Sequence, residues 1–205
     1  MPASSRWPAL WTRLGLEPPA VLLEELVTRY RAPHRAYHTL RHLEECFVAL
    51  DAAAPVAERP AEIEIALWFH DAVYDTRTSD SEERSARWAS RALRAVGAPT
   101  ALATRVEGLV LATKHDGPAA SPDARLLVDV DLSILGASEE RFDEYERQVR
   151  QEYAWVPEDA FREARRRILS GFLARPRLFG TDWFADRLER RARTNLARSI
   201  RSLSP

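Results

Sequence analysis

Glu62–Tyr74 reads EIEIALWFHDAVY, a mostly apolar run that closes on an adjacent histidine and aspartate, His70 and Asp71. A stretch of this length between other helical patterns predicts a central buried helix, and the shorter piece IEIALWF taken alone also suits a buried strand. The dipole of such a helix disfavours negative charge at its C-terminal end, where Asp71 falls. A buried Asp71 therefore needs compensation. A divalent cation would be the largest local charge available to supply it. An exposed aspartate beside a core histidine is the plainer alternative.

Outward from this run the pattern is helix after helix. Apolar residues recur at helical spacing over Pro19–Arg31, Tyr37–Leu50, Ser81–Val96 and Thr100–Thr113. The pattern continues through Asp123–Leu135, the charged segment after Ser138, Pro157–Arg175 and Trp183–Ser202. Ser79, Asp80 and Ser138 are candidate N-caps, Gly97 and Gly136 candidate stops, and Pro157 suits a first helical turn. Only 7 of 205 residues are glycine, too few for the turns of a strand-rich domain. The breaks between segments are short and no repeat or low-complexity tract intervenes. The expectation is one all-α domain over 1–205. A core at about 30–136 would carry the chemistry, with C-terminal helices over 138–203 packed on it.

Composition excludes several classes of function. Hydrophobic residues make up 45% and charged residues 30%, which suits a globular protein with a real core. Thirty basic against 31 acidic side chains leave no basic excess for dedicated nucleic-acid binding. No run approaches a membrane span, and the N-terminus MPASSRWPALW does not read as a signal peptide. A cytoplasmic location is the resulting expectation. The single cysteine, Cys46, argues against a disulfide framework and against a thiolate zinc site within one chain. Lys114 is the only lysine, and it precedes His115. The tryptophans at 68, 88, 155 and 183 read as packing residues. The arginines at 162, 165, 166 and 167 read as partners of the acidic helix Glu139–Glu152, within one chain or across a homodimer.

Five histidines are present: His34, His38, His42, His70 and His115. A helix starting near Tyr37 would put His38 and His42 on one face, with His34 in the loop before it. Inside LLVDVDLSIL, Leu126–Leu135, Asp129 and Asp131 are out of place in an apolar helix. One would bind arginines or a cap, and the other a metal. Two imidazoles and two carboxylates from three distant segments suit Mn, Fe, Co, Ni or Zn.

The order H…HD…D, with YHTLRHLEE, EIALWFHDAVYD, SEERSA, ATKHD and DVDLSILGA around it, resembles the HD superfamily of metal-dependent phosphohydrolases, in one bacterial branch. The resemblance runs from about Tyr30 to Asn195 and implies an HD-domain-like helical bundle. It assigns the metal to His42, His70, Asp71 and Asp131, with Asp129 as the fallback ligand. Tyr37–His42 also resembles the YHNxxH segment of cyclic-nucleotide phosphodiesterases, with Thr39 in place of asparagine. That likeness makes His38 the general acid.

The implied reaction is hydrolysis of a small phosphate ester, a nucleotide among the candidates, by metal-activated water. Arg41 and Lys114 would hold phosphoryl oxygens. Asp75 and Glu82 are candidate general bases or water-positioning groups. His115 is a substrate contact, a structural residue or, with Asp116 or Asp75, a ligand to a weaker second ion. Two alternatives remain: a non-catalytic nucleotide-sensing or scaffold protein, and a di-iron oxygenase, against which the histidine count speaks.

Overall fold

The computed structural model describes residues 3–115, 117 and 119–203, and among them there are ten α-helices and no strand. In chain order these are α1 (Ala3–Leu14), α2 (Leu22–Tyr30), α3 (Leu40–Ala52), α4 (Pro60–Phe69) and α5 (Ser81–Ala95). There follow α6 (Thr100–Ala112), α7 (Pro122–Asp131), α8 (Glu139–Glu152), α9 (Glu158–Leu173) and α10 (Asp182–Ser202). Short 3₁₀ turns occupy Ala54–Val56 and Leu132–Gly136. No helix among the described residues is long and apolar enough to cross a membrane.

The quoted run becomes α4, a helix buried on all sides. Ile63, Ile65, Ala66, Leu67, Trp68 and Phe69 are each 0% exposed, and α1, α3, α5, α6 and α7 surround them. Alternating glutamates and isoleucines could have suited a strand. Pro60 in the first turn pre-sets the helical φ instead. The two glutamates are matched by arginines from other helices. Glu64 accepts from Arg6 at 3.1 Å and from Arg13, and Glu62 accepts from Arg105 at 2.6 Å.

The first helix is absent from the pattern reading, although Trp7, Leu10 and Trp11 recur at helical spacing and all three are buried. Pro8 lies within this short helix and hides the pattern. Trp68 is core as expected. Trp155 is not: it lies 51% exposed beyond α8, where its indole N–H donates to Thr76 Oγ1 at 2.8 Å. Ser138 caps α8 as expected, and Gly97 turns the chain out of α5 with φ +79°. Asp80 precedes α5 but makes no side-chain cap bond.

Among the C-terminal helices, α9 packs on α10, and α10 lies along the 132–136 turn. Gly136 makes that approach possible, since a Cβ there would stand 2.7 Å from Leu188 Cβ. Gly136→Ala is expected to lower stability by about 1–3 kcal/mol through overpacking, read as a lower thermal midpoint with an unchanged denaturant m-value.

Candidate metal centre

Three backbone segments set the site. The helix α4 stops at Phe69, one residue before His70, and the stop has a visible cause. The His70 ring bonds the Leu67 carbonyl through Nδ1 at 2.7 Å. A carbonyl only accepts, so Nδ1 carries a proton, and loss of any proton on Nε2 leaves that nitrogen to present a lone pair to an ion. The turn beyond is held by Arg35, which donates to the carbonyls of Asp71 at 2.7 Å and Ala72 at 3.2 Å. The same guanidinium donates to the His38 carbonyl at 2.9 Å, tying the two histidine-bearing segments together. The third segment is the end of α7, which carries Asp131.

These segments converge. His42 Nε2 lies 3.1 Å from His70 Nε2. Asp71 Oδ2 is 3.0 Å from His70 Nε2 and 3.6 Å from His42 Nε2. Asp131 Oδ1 is 3.3 Å from His42 Nε2 and 3.6 Å from His70 Nε2. Ligands about 2.0–2.2 Å from one ion stand roughly 3–3.5 Å from each other, so this spacing fits a shared cation. Both histidines are buried, at 2% and 1% exposed.

Cys46, as the single cysteine, argues in the sequence against any thiolate zinc site within one chain. In the fold it lies one turn beyond His42, with Sγ 3.7 Å from His42 Nε2. The ligand atoms of His42, Cys46, His70 and Asp131 all lie within 4.8 Å of one another, and this group could hold a metal ion. Its i,i+4 relation to His42 was the available signal.

Asp129 has a different task. Successive helical residues turn by about 100°, so Asp129 and Asp131 face nearly opposite sides of α7. Asp129, 0% exposed, accepts from the N–H groups of Gly180 at 2.6 Å and Thr181 at 2.7 Å, and from Thr181 Oγ1 at 2.6 Å. It fastens the loop that starts α10.

Charge is finely balanced in the cluster. Burial works against charging His70, but the Asp71 and Asp131 carboxylates outweigh it and raise the imidazole well above its ordinary range. Burial likewise pushes Asp131 up, while hydrogen bonds from His115, His42 and His70 hold it far below. A proton thus occupies the role a cation would fill, so binding an ion displaces it.

His38 precedes α3, which starts at Leu40 instead of Tyr37, yet its ring remains 5.9 Å from that of His42. It is held by Glu152 at the end of α8. Glu152 Oε1 accepts the N–H groups of Ala36, Tyr37 and His38 at 2.8–2.9 Å. Its Oε2 lies 2.7 Å from His38 Nδ1 and accepts the Tyr74 hydroxyl at 2.8 Å. Burial pushes Glu152 up, but its bond and charge interaction with His38, with help from Tyr74, bring it down to about 2. Nothing in YERQVRQEY distinguishes this glutamate from its exposed neighbours.

The Glu152 shift has a consequence in acid. Its folded pKa lies below the ordinary 4.5, so its stabilisation is complete above that pH and drains away as pH falls towards 2. Glu152→Gln is expected to cost about 2–3 kcal/mol at neutral pH and almost nothing near pH 2, read from urea unfolding at both pH values.

The remaining expected site residues divide. His38, Asp71, Glu82, His115 and Asp131 line one cleft of about 270 Å³, with Arg165 on its wall. Burial raises the Glu82 carboxyl, aided by the charge of Asp71. His115 adopts φ 59°, in the left-handed region that histidine visits more readily than most residues, which turns Nε2 to 3.2 Å from Asp131 Oδ2. Asp131 therefore offers one oxygen to the His42–His70 pair and the other to His115, whose Nδ1 is buried without a partner.

Asp75 is exposed and closes a local turn by accepting from Arg77 N at 2.9 Å. Arg41 lies outside the cleft, half-exposed and paired with Glu144. Lys114 pairs with Glu83 at 2.7 Å. Asp116 lies outside the described residues. Of the arginine run, Arg165 pairs with Glu146 on α8, within the chain. No family model, curated protein or solved structure matches this chain.

Proposed function

We propose that this chain is a metal-dependent phosphohydrolase of the HD type, acting on a small phosphate ester such as a nucleotide. The observation that carries the reading is the approach of Asp71 Oδ2 and Asp131 Oδ1 to the paired His42 Nε2 and His70 Nε2, with His38 and Glu152 bonded to each other nearby. His42, His70, Asp71 and Asp131 would hold one divalent transition ion, with Cys46 as a further donor. When bound, that ion supplies Lewis acidity towards a phosphoryl oxygen and a more acidic water.

The chain's own residues do the rest. His38 keeps its Nδ1 proton on Glu152, which leaves Nε2 to deliver a proton to the departing oxygen. Burial disfavours its charged form, but Asp71 and Glu152 outweigh that and raise its pKa, so it stays charged to higher pH than an ordinary histidine. Glu82, raised by burial and lining the same cleft, is suited to take a proton from the attacking water. Arg165, rather than Arg41 or Lys114, is the fixed positive charge on the cleft wall. His115 shares Asp131 and would serve as a substrate contact or as a ligand to a weaker second ion.

The test is elemental analysis of the purified full chain, then a panel of phosphomonoesters, phosphodiesters and nucleotides with Mn, Co, Ni, Mg and Zn. Metal-stimulated phosphate or nucleotide release is expected. No release from any compound with any ion would overturn the proposal in favour of a non-catalytic sensing protein.

A further inference from the structure

Away from the metal centre, α2 and α5 stand apart and leave a groove of about 770 Å³, within the range of small-molecule sites. Its α5 wall presents Arg84, Arg87 and Arg91, at i, i+3 and i+7 on one helical face. Such a row spans about 10 Å of helix, and like charges so spaced oppose the helix that bears them. Its α2 wall presents Glu24, Glu25 and Arg29. Among the described residues no ion pair crosses the groove: Arg84 lies 3.9 Å from Asp80, and Arg87 acts on the charge of Glu83, both on the α5 side. Opposite charges therefore face each other across open space without closing it.

Trp88 lies between the arginines, half-buried, its ring edge-on to Phe69 and under the Arg29 guanidinium at 5.7 Å. We infer that this groove is a binding site for a nucleoside polyphosphate, separate from the metal-centre cleft. The arginine row matches a chain of phosphates, since each planar guanidinium can bond two phosphate oxygens. The Trp88–Arg29 stack offers a flat surface to a base. Glu24 and Glu25 can accept from sugar hydroxyls and exocyclic amines, which inorganic polyphosphate lacks.

The site also touches the segment that carries Asp71. Val73 lines the groove, and both its N–H, at 3.0 Å, and its carbonyl, at 3.3 Å, are bonded to Ser85 Oγ on α5. An occupant that draws α5 towards α2 pulls on that turn.

The experiment measures binding of ATP and of inorganic tripolyphosphate to the full chain by calorimetry. It compares wild type, His70→Ala and the triple variant Arg84→Gln/Arg87→Gln/Arg91→Gln. ATP is expected to bind wild type and His70→Ala alike, and the triple variant at least about tenfold more weakly. Tripolyphosphate is expected to bind more weakly than ATP. Photolabelling of wild type with 8-azido-ATP should mark peptides of α2 and α5, a readout that needs no variant to fold. Unchanged affinity in the triple variant, or labels confined to the metal-centre cleft, would overturn the site. Equal affinity for tripolyphosphate would overturn its nucleoside character. Because His70→Ala removes a metal ligand, these outcomes are independent of whether the chain hydrolyses anything.

Discussion

Replacing Asp131 by alanine is expected to remove the bound metal and reduce phosphate release by at least about a thousandfold, while the chain stays folded. Asp131 offers Oδ1 to His42 and His70 and Oδ2 to His115, so a single truncation empties the shared side of the cluster. It also takes away the half-buried carboxylate that His115, His42 and His70 hold ionised in the metal-free protein, so part of the stability goes with it. Metal content and turnover should collapse, with a lower urea midpoint but a still cooperative unfolding transition. Full metal content in Asp131→Ala would show that the ion sits elsewhere.

Asp129→Ala should do the reverse. Its carboxylate holds the N–H groups of Gly180 and Thr181 and the Thr181 hydroxyl. Truncation leaves those donors unpaired where the loop meets α7, at an expected cost of about 3–5 kcal/mol. The thermal midpoint should fall by several degrees or more, and the protein that remains folded should still bind metal. Two aspartates separated by one residue thus give opposite phenotypes. Similar losses of metal and of stability in both variants would contradict the division of labour on α7.

That division shows what the one-dimensional pattern can carry. The all-helical architecture was legible because apolar residues recur at helical spacing and glycine is scarce. The candidate metal cluster was legible because histidines and aspartates interrupt apolar runs where an uncompensated charge is costly. Choosing Asp131 over Asp129 needed a family resemblance at the sequence level, although the turn angle between them already requires opposite faces.

Other features were hidden for physical reasons. Glu152 and Arg165 sit in segments dense with charge, and only tertiary packing decides which member of such a run is buried. Arg35 acts through three backbone carbonyls, which have no sequence signature. Cys46 was discounted by counting thiols, when its place one turn from His42 was the informative fact. Arg41 and Lys114 went the other way. Each is a cation next to a site histidine in sequence, and each is paired with an acidic side chain.

X-ray absorption at the metal edge of the cobalt- or zinc-loaded full chain tests the central claim most directly. Two imidazoles and carboxylate oxygen in the inner shell are expected, with the imidazole scattering reduced in His70→Ala. Sulfur scattering that disappears in Cys46→Ser would add the thiol to the shell. A shell of oxygen alone, unchanged by His70→Ala, would place the ion outside this cluster and contradict the account.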